Sequence, residues 1–178
     1  MTSCNTAGHE GAPDMHRSAE RLVLEGYRHW IGAAARGADT PLDALYRLYA
    51  ADLAPRSVRP AVAALCDFVA TLGLCTRCPL RTFETGSRHI CREETLILGL
   101  IAAIQNGDDR VADLCLRTLS CANRCEPVAL AAGNLALILK GLDRTLAPIP
   151  LPVIARIVRG EASPAQDSGA PTPGTTVH

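Results

Sequence analysis

Through the middle of the chain, apolar residues recur at the three- and four-residue steps of a helix face, and nowhere do strand-like alternations accumulate. The pattern predicts an all-α fold. A first helix is expected from Arg17 to Arg36, with Val23, Tyr27, Trp30 and Ala34 on one face and Gly37 as its stop. "TPLD" reads as the next start: Thr40 can cap, Pro41 suits the first helical position and Asp43 lies in the first turn, ahead of the stripe Leu42, Leu45 and Tyr49. A third helix begins near Ser57, with Pro60 in its first turn, and carries Val58, Val62, Leu65, Val69 and Leu72 as far as Gly73.

The fourth helix opens on Glu93 and Glu94 and continues through "TLILGLIAAI", apolar nearly all round, which calls for a central position. "NGDD" then turns the chain: Gly107 can take the left-handed end conformation, and Asp108 or Asp109 can cap a fifth helix bearing Val111, Leu114, Cys115 and Thr118. So short a link predicts a central antiparallel helical hairpin over about 92–119. Pro127 begins a sixth helix with Val128, Ala131, Leu135 and Ile138, ending near Gly141, and "APIPLPV" leads to a short last helix, Val153 to Arg159. Within the sixth, Asn134 beside Gly133 reads either as a hydrogen bond to a neighbouring helix or as a polar spot facing a ligand. Residues 1–16 and 161–178 are polar and rich in Gly, Pro, Ser or Thr, the composition of disordered tails. The expectation is a single-domain bundle of about six helices over 17–160.

Composition narrows the function. The 178 residues are 48% hydrophobic, enough for one core, and Lys plus Arg balances Asp plus Glu at 18 each. That balance lacks the basic excess of a protein that holds nucleic acid through phosphates, and the fifth helix offers only Arg110 and Arg117 as basic contacts. Direct DNA binding therefore ranks below a protein partner, for which the exposed face of the first two helices, with its tyrosines, is one candidate. No phosphate loop, serine elbow or paired zinc-hydrolase histidines occur, which favours a non-catalytic role. The apolar runs are too short to cross a bilayer, and the first residues lack a signal-peptide core; a cytoplasmic protein without a membrane span is expected.

Eight cysteines in a reducing compartment point to metal, redox chemistry or burial rather than to disulfides. "CTRCPLRTFETGSRHIC" sets Cys75, Cys78, His89 and Cys91 in one loop between the third and fourth helices. If the fifth helix returns antiparallel, "CANRC" brings Cys121 and Cys125 to the same pole. Structural zinc takes four such ligands, and a two-residue gap lets one turn supply two of them. Cys75 and Cys78 are the firmest ligands; Cys91 and Cys125 complete the set, with His89 or Cys121 as the substitute. Cys66 and Cys115 read as buried small hydrophobes, and Cys4 belongs to the tail.

The same sulfurs could hold an iron–sulfur cluster, or act as a reversible dithiol pair. Arg77, Arg81, Arg88 and Arg92 line the loop while Arg117 and Arg124 flank the second pair, and positive charge there would favour thiolate or offset the charge of a thiolate-bound metal. The sequence reading is thus a non-catalytic regulatory or adaptor protein with a zinc-binding cysteine pole, with a redox protein as the alternative.

Overall fold

The computed structural model describes residues 18–37, 42–74, 80–160 and 175–177. Among these, seven α-helices account for most of the chain: α1 (Ser18–Ala35), α2 (Leu42–Ala50), α3 (Pro55–Gly73), α4 (Arg92–Asn106), α5 (Asp109–Leu119), α6 (Cys125–Gly141) and α7 (Leu151–Val158). A single 3-10 turn, Ala122–Arg124, precedes α6. The fold is mainly helical, and among the described residues no helix is long and apolar enough to cross a membrane.

α4 is the element around which the others gather. Its buried residues run without a break from Glu94 to Ala103, as its nearly uniform apolar composition requires, and it packs against α1, α5, α6 and α7. Gly107, with φ of 73°, ends it in the left-handed conformation, and Asp108 caps α5 through a 3.1 Å bond from the Val111 N–H. α4 and α5 are joined by these two residues alone and lie against each other. At two places the helices meet at a glycine. A Cβ added at Gly26 would come 2.5 Å from Leu65 of α3, and one at Gly99 would come 2.9 Å from Ile154 of α7 and 3.1 Å from the Cys115 sulfur of α5.

The far end of α4 is tied to α6. Lys140 Nζ donates to the Gln105 carbonyl at 2.6 Å, and Gln105 Nε2 donates to the carbonyls of Ala136 and Arg144, both at 3.1 Å. Gln105 Oε1 accepts from the Leu146 N–H at 2.8 Å. One buried amide thereby satisfies the connector leading to α7, and the C-terminal ends of α4 and α6 are neighbours.

Several sequence expectations shift. α3 starts two residues earlier than Ser57, because Pro55 fits the first position after Ala54, which leaves Pro60 inside the helix rather than in its first turn. α6 begins at Cys125, ahead of Pro127, and α7 at Leu151, ahead of Val153. Leu42, expected on the buried stripe of α2, is 45% exposed. Conversely, Tyr27 and Tyr49 are buried, Tyr49 donating to the Leu22 carbonyl at 3.2 Å, so of the tyrosines only Tyr46 remains on the outer surface of the first two helices. Strands absent from the sequence reading also occur: β1 (Leu80–Thr82) pairs antiparallel with β2 (Thr175–Val177), Leu80 opposite Val177. Thr40, expected as a cap, Pro41, expected at the first helical position, and residues 1–16 lie outside the described residues.

Candidate functional site

The loop that follows α3 is held by one side chain of α1. Arg28 lies on the buried side of its helix, with buried Leu24 four residues before it and buried Ile31 three after. Its guanidinium uses all five of its N–H groups. Nε and one terminal nitrogen grip Glu94 at 2.8 and 3.1 Å, the fork-to-fork geometry that suits this pair. The other terminal nitrogen donates to Glu25 and to the Ser87 carbonyl, each at 2.8 Å, and the His89 carbonyl takes the last N–H at 2.5 Å.

The carboxylates extend the grip. Glu94 stands three residues after Cys91, the residue preceding α4, and accepts the Cys91 N–H at 2.8 Å, half of a capping box. It also accepts the Thr82 hydroxyl at 2.7 Å and the Phe83 N–H at 3.1 Å, while Glu25 accepts the Gly86 N–H at 2.9 Å. The backbone of 82–91 is therefore fastened at Thr82, Phe83, Gly86, Ser87, His89 and Cys91 to one buried cluster. The Glu94 side chain is fully buried, whereas that of Glu25 keeps 12% of its surface, so the second carboxylate remains in touch with water. Burial would lower the pKa of Arg28, but hydrogen bonds and charge from Glu94 and Glu25 outweigh it and hold the guanidinium above its ordinary value.

Beside this clamp lie two of the sequence-derived site residues, His89 and Cys91. Cys91 is partly buried and its Sγ donates to the Arg81 carbonyl at 3.3 Å, an oxygen that also accepts the Tyr27 hydroxyl at 3.1 Å. Burial pushes the Cys91 thiol up to about 12, with the negative charges of Glu94 and Glu93 adding to the rise. Among the described residues, the charges that add to burial at this sulfur are thus those of glutamates. His89 is exposed at the loop surface, its ring tilted against Phe83 with centroids 5.8 Å apart.

At the other pair, Cys125 Sγ lies 3.3 Å from the Ser120 hydroxyl and donates to the Cys121 carbonyl at 3.5 Å. The arginines divide. Arg81 and Arg88 are exposed; Arg92 turns to the end of α7, where Nε meets the Ile157 carbonyl at 3.2 Å, and pairs weakly with Glu93. Arg117 is engaged by Asp113 at 2.7 Å, and Arg124 sits half-exposed in the 3-10 turn. Cys115 is in the core and Cys66 partly buried against it, as small hydrophobes are. Cys75, Arg77 and Cys78 lie outside the described residues, and among the described residues no three of His, Cys, Asp and Glu are grouped to hold a metal ion.

Arg28, Glu25 and Glu94 escaped the sequence reading as a unit. The available signal was a charged residue flanked at helical spacing by Leu24 and Ile31, together with a glutamate three residues after Cys91, the residue that precedes α4. No protein-family profile matches the chain, and no characterised protein or solved structure matches it either.

Proposed function

We propose that this chain is a non-catalytic regulatory or adaptor protein whose working part is the cysteine-bearing loop between α3 and α4, and that this loop binds zinc. Cys75, Cys78 and Cys91 are three of the ligands in this reading, and Cys125, Cys121 or His89 supplies the fourth. The observation that carries it is the Arg28 clamp. A buried ion cluster of this kind adds little net stability over an apolar core of the same shape, but it fixes the groups that it binds. Here what it fixes is the backbone on both sides of His89 and Cys91.

Chain length supports the ligand set. The Cys91 sulfur touches the backbone at Arg81, three residues after Cys78, and three residues of chain reach at most ~10 Å. The tie between Gln105 and Lys140 adds a second argument: α4 and α6 pack against each other with their C-terminal ends adjacent, and a near-parallel pair of this kind begins on the same side. Cys91 precedes α4 and Cys125 opens α6, so both belong to that side in this arrangement. A structural metal there would tie α3 to the starts of α4 and α6.

Metal analysis of protein purified without oxygen tests the reading, together with its visible spectrum. About one equivalent of zinc in a colourless sample is expected, and the Cys75→Ser, Cys78→Ser double variant should lose it. Iron with a brown colour would transfer the site to an iron–sulfur protein; metal-free protein with every cysteine intact would end the metal reading.

A further inference from the structure

The outer face of α6 carries the two most exposed large apolar side chains of the described residues, Leu130 at 70% and Leu137 at 66%. One heptad apart, they fall on a single stripe with Asn134 between them, also exposed. Gly133 borders the stripe, and a Cβ placed there would meet nothing within 4 Å, so a second backbone has room to approach. At the two ends of the same face stand opposite charges: Glu126 in the first turn and Lys140 in the last, both exposed. Lys140 spends one N–H on Gln105 and has two more to offer.

We propose that this face is an interface with a second copy of the chain, the two α6 helices running antiparallel and crossing at Gly133. The charges select both the partner and the direction. Glu126 and Lys140 each stand seven residues from Gly133, so a twofold axis at that glycine brings Glu126 of each copy to Lys140 of the other while the exposed leucines cover one another. A parallel pairing would instead set Glu126 by Glu126 and Lys140 by Lys140. Asn134, a polar residue within an otherwise apolar seam, disfavours other registers.

Zero-length carbodiimide cross-linking offers a direct test, since Lys140 is the only lysine in the chain. Fourteen residues of helix separate it from Glu126, about 21 Å, so the two cannot be joined within one molecule. The proposal expects a cross-linked dimer in which Glu126 is joined to Lys140. In sedimentation equilibrium, Leu137→Glu and Leu130→Glu, checked for native helicity by circular dichroism, should each weaken self-association about tenfold or more. Glu126→Lys or Lys140→Glu alone should weaken it roughly fivefold, and an equimolar mixture of the two should restore it. A wild-type chain that stays monomeric up to about 1 mM, or a dimer indifferent to both leucine variants, overturns the proposal. Loss of association in the leucine variants without the Glu126–Lys140 linkage or rescue by mixing overturns the antiparallel arrangement.

Discussion

Arg28 shows how one side chain can decide the state of a loop. Truncating it to alanine strands the Glu94 carboxylate in a fully buried position and releases the carbonyls of Ser87 and His89, so a loss on the order of 3–5 kcal/mol is expected in urea denaturation. Lysine should rescue little, because an ammonium lacks the planar fork that serves two carboxylates and two carbonyls together. A midpoint unchanged for Arg28→Ala would mean that the cluster does not organise the loop. The thiols make a second prediction. Cys91 and Cys115 both have folded-state pKa values pushed up to about 12 by burial, above an ordinary value of 9.0. Between those values the unfolded chain binds fewer protons than the folded one, so stability is complete below pH 9 and falls as pH rises toward about 12. Buried Tyr27 and Tyr49, also raised by burial, act in the same direction. Denaturation midpoints of metal-free protein measured across this range should decline; a flat profile would contradict the burial of these groups.

Among the elements, the helices were the legible part, and the reason is local. Their apolar spacing, the Gly107 stop and the Asp108 cap are all set by neighbours within a turn or two. What escaped depends on distant partners. β1 is three residues long and exists by pairing with β2 almost a hundred residues away, and no alternation can be read from so short a run. Burial of Tyr27 depends on an acceptor at Arg81, and the position of Arg28 on α1 becomes meaningful only when Glu94 of α4 stands opposite. Helix contacts at glycine were likewise invisible, since an inward Gly26 and an outward Gly73 look alike in sequence. The structure separates them: Gly26→Ala drives a methyl into Leu65 and Gly99→Ala into Ile154 and Cys115, each expected to cost about 1–3 kcal/mol, whereas Gly73→Ala meets open space and should be neutral or stabilising by up to about 1 kcal/mol. Thermal melts of the three variants check this ranking.

At the scale of the whole molecule, two tied ends organise the chain. Gln105 and Lys140 lock the C-terminal ends of α4 and α6, while Arg28 with its glutamates locks the loop at the start of α4. The cysteine spacings were readable because "CTRC" and "CANRC" are short-range patterns; which sulfurs share a site was not, because that depends on how the helices return. The proposed metal would complete the second tie by joining 75–78 to Cys91 and one further ligand. Its removal by a chelator should lower the melting temperature of wild type and leave the Cys75→Ser, Cys78→Ser variant unchanged. The most direct measurement is zinc X-ray absorption on the purified, oxygen-protected protein. The expected result is a four-coordinate shell with at least three sulfur atoms at ~2.3 Å; a zinc-free sample, or a shell of oxygen and nitrogen alone, would contradict the proposal that these cysteines share one zinc ion.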